Sequence, residues 1–225
     1  MNAATLIGEL LPQAVTIAIS PIPVIAVIVM LRTPQASRVA GAFVGGWVLG
    51  VLLLLTTATI LASAINTVSE DASRPIIGTL KILFGATLIA LAIRQIRPHG
   101  ATGSAQGPPP WLRTVEALKP WRTTGIGLAL ASVNPKNLLS GCAAGLTIGT
   151  SNAAIGTEVW TIGVFVAVAS TTVAGPIVLS RILGRRADGP LDQMRVELSR
   201  QATAIMTVLF LISGVINIGR GIESF

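Results

Sequence analysis

The sequence predicts an all-α integral membrane protein: six transmembrane helices forming two inverted three-helix repeats, with helices 1 and 4 interrupted by proline motifs. Three observations carry this. Hydrophobic residues make up 52% of the chain and charged residues 11%, where soluble domains hold about 25% charged; the mean hydropathy is +0.76. Six apolar runs, each near the roughly 20 residues a spanning helix needs, fall at 8–31, 39–64, 75–96, 124–149, 155–182 and 202–221. Lys and Arg gather in alternate loops.

Composition also narrows function. The net charge of +7 comes from 16 Lys+Arg against 9 Asp+Glu. In a membrane chain such an excess reports topology, and no nucleic-acid partner is expected. The single cysteine, Cys142, excludes an intramolecular disulfide and a CxxC pair. His99 stands alone, so no zinc or haem ligand set exists and no cofactor or metal is expected. No nucleophile or acid–base cluster has a partner set, so the chain does not read as an enzyme. The opening MNAATLIGELL lacks Lys and Arg and includes Glu9. It reads as a retained span rather than a cleaved signal.

In the first run, Pro21 and Pro23 each lack the N–H of a helical residue, and each ring clashes with the carbonyl four residues back. Ser20 is an N-cap type, and proline is favoured at the first helical position. The run therefore reads as a half-helix, a break and a new helix starting at Pro21. The second run spaces Gly41, Gly45, Gly46 and Gly50 for close helix packing, within the chain or between protomers. The third carries Lys81 near its start, where a long side chain snorkels to the interface. Then comes a Gly/Pro/Ser loop and a segment around Trp111–Trp121. There Trp111, Leu112, Val115 and Leu118 keep helical spacing, with Arg113, Glu116 and Lys119 between them. Two readings stand: a helix lying at headgroup level, or a solvated linker whose tryptophans touch the interface.

The fourth run repeats the first break at Asn134-Pro135, followed by Lys136 and Asn137. The fifth carries Ser170, Thr171 and Thr172, which either line a polar path or bond back to their own helix. A kink is expected at Gly175-Pro176. Glu9 and Glu158 fall near the outer ends, in solvent. Orientation follows from the basic residues. Arg32 and Arg38 lie in the first loop, Arg97, Arg113, Lys119 and Arg122 in the third, and Arg185, Arg186, Arg195 and Arg200 in the fifth. The second loop holds only Arg74 and the fourth has none. Odd loops are thus cytoplasmic, and both termini of this multi-pass chain face outward.

The halves divide as 1–96, a cytoplasmic loop at 97–123, and 124–225. Pro21 and Pro135 are as far apart as Thr57 and Thr171; Leu83-Phe84 and Leu209-Phe210 are as far apart as Arg94 and Arg220. Inverted repeats place a site near the midplane at interrupted helices. Each new helix start offers free N–H groups and a partial positive charge, and Lys136 adds a full one. The expected site is an anion-accepting centre of Ser20, Pro21, Pro23, Asn134, Pro135, Lys136 and Asn137, with Thr57 and Thr171 beside it. It would suit a carboxylate, phosphate or sulfate. In the competing reading the prolines are packing kinks, and Lys136 snorkels or meets an acid. An ionisable residue at this depth favours the site.

At these residues the chain resembles the LysE superfamily of six-helix exporters. Within it, "SPIPVIAVIVML", "TPQASRVAGAFVGGWVLG" and "SVNPKNLL" resemble the actinobacterial peptidoglycolipid-addressing proteins, a group that includes sulfolipid-addressing proteins. The resemblance covers nearly the whole chain. It implies a plasma-membrane protein that helps move glycolipids or related solutes to the cell surface, associated with a large resistance-nodulation-division-type lipid transporter. A homo-oligomer such as a dimer is expected as well. Three functions compete: export, or assisted export, of an amphiphilic anionic lipid; export of a small amino-acid-type solute; and a non-transporting scaffold of a lipid-export complex. Lateral openings towards lipid favour the first, a closed wet pocket the second, and a featureless packed interior the third.

Overall fold

A computed structural model describes residues 3–33, 35–66, 70–96 and 120–223. In chain order the helices are α1 (Ala3–Ala18), α2 (Pro21–Met30), α3 (Ala36–Asn66), α4 (Glu70–Ile96), α5 (Pro120–Ser132), α6 (Pro135–Gly149), α7 (Ile155–Leu183) and α8 (Asp188–Ile222), with a 3-10 turn at Gly184–Ala187. The segment from Trp111 to Lys119, for which two readings stood, lies outside the described residues, as does the loop before it.

Four stretches are long and apolar enough to cross a membrane unaided: Ala36–Ala64, Pro75–Gln95, Ile155–Leu183 and Asp188–Ile222. α1 and α2, bent by 53° across their break, make a fifth when taken as one span. The surface matches a lipid solvent: Leu53, Ile60, Leu61, Ile155, Ile182 and Val215 are all more than half exposed. The main core joins α1, α2, α3 and α7 around Phe43, Trp47, Ile17, Phe165 and Val173. The Trp47 indole N–H reaches Ala169 O at 3.4 Å.

α3 packs along α5 and α6, α7 along α1 and α2, and α4 along α8. Small residues set these approaches. A Cβ on Gly46 would sit 2.0 Å from Thr124 O, and one on Gly85 2.5 Å from Gly214 O. Gly41 and Gly45 face open space instead, so only half of the expected glycine stripe packs within the chain. α7 runs on through Pro176 without ending, and stops at Gly184, whose φ of +52° suits a residue without a side chain.

The sixth run differs from expectation. Its helix begins at Asp188, not 202, and counts 35 residues, about 52 Å at roughly 1.5 Å per residue. The hydrocarbon core is about 30 Å thick, so the polar first turns project beyond it. Asp188 and Asp192, one turn apart, both accept from Arg32, at 3.2 and 2.7 Å. Gln201 donates to Glu197. Such pairs at helical spacing hold a polar stretch in helix. The Arg32 tie is exposed, with side chains 37% to 60% accessible. A double-mutant cycle on Arg32→Ala and Asp192→Ala, read by thermal melting, should give a coupling below about 1 kcal/mol that fades with added salt.

Candidate functional site

The first break is set by two missing donors. In an uninterrupted helix Ile17 O and Ile19 O would accept from residues 21 and 23, but both are prolines. Every carbonyl at the end of α1 finds another partner. Ile19 N–H closes on Val15 O at 2.9 Å. Lys136 Nζ donates to Thr16 O at 2.5 Å and Ile19 O at 3.0 Å. Ser20 Oγ donates to Ile17 O at 2.8 Å. Ala18 O accepts from Ser20 N–H at 2.8 Å and from the Thr172 hydroxyl.

The second break begins at Asn134, whose side chain caps α6 by accepting from Lys136 N–H at 3.0 Å. Pro135 takes the first helical position, where its missing N–H is harmless. Ser20 behaves differently from the N-cap expected of it. α2 does start at Pro21, but the Ser20 hydroxyl makes no capping bond. It turns back to Ile17 O because that carbonyl is otherwise orphaned.

Lys136 joins the two breaks. It is completely buried. Its ammonium donates to Thr16 O, Ile19 O and Ser20 Oγ, the last at 2.7 Å. An ammonium has three donors, and all three are used. The acceptors sit at the carboxyl end of α1, where the helix dipole is negative. Among the described residues no carboxylate pairs with Lys136. The cation is thus held by neutral oxygens and a dipole, with no counter-charge.

Next to it in the chain, Asn137 is fully buried and donates to Leu130 O at 3.3 Å, and its Oδ1 has no donor among the described residues. Ser140, one turn further along α6, is also fully buried, and its hydroxyl has no partner among them. The buried hydroxyls of Ser170 on α7 and Thr59 on α3 likewise have none there. Unpaired buried oxygens are uncommon.

The structure therefore brings Ser20, Pro21, Pro23, Asn134, Pro135, Lys136 and Asn137 to one place and leaves two expected residues out. Thr57 lies on an exposed face of α3. Thr171 is exposed and bonds back to Val168 O at 2.8 Å. On α3 the inward hydroxyl is that of Thr59, two residues on; on α7 Thr172 is exposed as well, but its hydroxyl donates to Ala18 O. Thr16, whose carbonyl holds Lys136, is a partner that sequence reasoning missed. The stripe Glu9, Gln13, Thr16 and Ser20 at helical spacing would have pointed to it.

No curated protein and no solved structure matches the chain. A family model described as Sap, sulfolipid-1-addressing protein, matches residues 10–223. That match spans both breaks, and the chain belongs to the sulfolipid-1-addressing protein family.

Proposed function

We propose that this membrane protein assists export of an anionic amphiphilic lipid, whose charged head group engages Lys136 where the two breaks meet. One observation carries this reading: a buried ammonium that no carboxylate pairs among the described residues, on the helix that also holds the unbonded Ser140 hydroxyl and an Asn137 Oδ1 open to a head-group hydroxyl. An anion there supplies what neutral dipoles supply only in part, by displacing one of the α1 acceptors. The acyl chains stay in the membrane. A shallow apolar crevice between α1 and α7, lined by Leu10, Leu11, Val164, Phe165 and Val168, lies along the same helix. The chain acts without chemistry of its own.

In this reading α5 and α6 together form a sixth span, and the chain is two inverted repeats, 1–96 and 124–225, joined by a cytoplasmic loop. The packing supports it. α3 lies on the broken pair of the other half, as α7 lies on α1 and α2, and α4 meets its counterpart α8. The LysE-like plan, a plasma-membrane location, a homodimer and a resistance-nodulation-division-type partner belong to the same proposal.

Native mass spectrometry of gently purified protein tests the function. A sulfated or otherwise anionic lipid should stay bound to the wild type and be lost from Lys136→Met. Retention of an amino acid instead would favour the small-solute exporter. Topology is tested with single cysteines in a Cys142→Ser background. In intact cells, an impermeant thiol reagent should label a cysteine at Ser151 and spare one placed in 100–108; the reverse pattern inverts the orientation.

A further inference from the structure

A second polar feature runs from Lys136 towards one end of the bundle. On α1, Glu9, Gln13, Thr16 and Ser20 share one face at helical spacing. On α8, Ser213, Asn217 and Arg220 do the same. Gln13, Thr16, Ser20, Ser213 and Asn217 are each at most 3% exposed. The two faces meet through side chains. Thr16 Oγ1 and Ser213 Oγ lie 2.6 Å apart. Within α8, Asn217 Nδ2 donates back to Ser213 O at 2.8 Å, which keeps its side chain on the same face. Arg220 donates to Glu9 O, and its Nη1 lies 2.7 Å from the Gln13 side chain, oriented so that the oxygen accepts. Thr16 then carries the file to Lys136 through its carbonyl. The opposite face of α1 holds exposed Leu11, Val15 and Ile19, and that of α8 holds Val208, Ile212 and Val215.

We infer that this seam between α1 and α8 is the route of the lipid head group between the Glu9–Arg220 end and Lys136; the inference rests on the function proposed above. Four properties fit a head group bearing hydroxyls and an anion. The seam reaches the centre from one end only. Its residues are hydrogen-bonding amides and hydroxyls, which exchange partners across the seam for partners on a sugar. A cation stands at each end, Arg220 and Lys136. Interhelical hydrogen bonds within membranes are individually weak, so the seam can part and close again. An apolar interface at the same place would bind the lipid tails and reject the head. At that end Lys81 feels the charges of Arg220, Glu9 and Glu223.

Single cysteines in a Cys142→Ser background test this in phosphatidylcholine nanodiscs, where both faces meet the reagent. Gln13→Cys, Thr16→Cys and Asn217→Cys sample the seam; Leu11→Cys, Val15→Cys and Val215→Cys sample the lipid-facing sides. A charged methanethiosulfonate should modify the seam set about tenfold faster, since thiolate chemistry needs access to water. Adding sulfatide, a sulfated glycolipid, should slow the seam set and leave the other unchanged. Equal rates in both sets overturn the route, as does a seam indifferent to sulfatide. If native mass spectrometry still shows anionic lipid on Lys136-containing protein, the route alone has failed and the function stands. Should a single variant not fold, Thr16→Cys with Ser213→Cys gives a second measurement in cells. Oxidation should stop lipid export and reduction restore it; export unaffected by oxidation overturns the route.

Discussion

Protein carrying Lys136→Met is expected to insert and accumulate as the wild type does, yet to export no lipid. A lysine at the centre of a spanning helix costs about 2.5–3.5 kcal/mol on insertion scales, and methionine removes that cost. Against it, Thr16 O and Ile19 O lose the donor they share, at about 1–3 kcal/mol for each buried acceptor left open. The terms nearly offset, so abundance holds. What disappears is the charge, and with it the attraction for an anionic head group. Lys136→Arg should keep more export than Met but less than wild type. The guanidinium keeps the charge, but its planar fork does not reproduce the ammonium's three bonds to Thr16 O, Ile19 O and Ser20 Oγ. The measurement is surface lipid at matched protein level. Equal export by wild type and Lys136→Met would reduce Lys136 to a tie between two helix breaks.

Gly127→Leu should remove folded protein almost completely. A Cβ at Gly127 would meet Phe43 O at 2.2 Å and Trp47 N at 3.0 Å. Both are backbone atoms of α3, which cannot rotate aside as a side chain can. α3 and α5, which pack along each other, must then separate. Overpacking alone costs about 1–3 kcal/mol, and a leucine adds three further carbons. Gly45→Leu is the control, because nothing lies within 4 Å of its added Cβ. Size-exclusion chromatography after graded heating should show Gly127→Leu aggregated from the start and Gly45→Leu melting like wild type. A Gly45→Leu protein that melts normally but runs as a smaller species would place the open half of the stripe between protomers.

Proline chemistry made the breaks legible from sequence. Pro21, Pro23 and Pro135 remove donors whatever surrounds them, and the new helices start at Pro21 and Pro135. Lys136 was legible as well, since an ionisable residue inside an apolar run cannot be ignored. Rotation was not legible. Soluble helices declare their inner face by polarity, but a lipid-facing helix is apolar on both sides. Spacing selects Thr57 and Thr171, both exposed in the structure, while the Thr172 hydroxyl one residue on reaches Ala18 O. The start of α8 was missed for a related reason. Charged residues at 188–201 argue against a membrane span, yet they do not argue against helix, and Arg32 holds the first turn through both aspartates.

The bond from Lys136 to Ser20 closes a separation of 116 residues, and the one from Ser213 to Thr16 a separation of 197. A ribosome adding about 5–20 residues per second takes roughly 6–23 s to reach the lysine after the serine has been made. For that interval the growing chain carries an α1 whose Thr16 and Ile19 carbonyls lack the Lys136 donor. The segment through α4 stays incomplete until α6 arrives, with those two carbonyls left to water. Completion is therefore a late event in biosynthesis, set by when α6 is made. A chain stalled after α4 offers quality-control proteases an unfinished helix end, and 124–225 supplied on a separate polypeptide carries the missing donor.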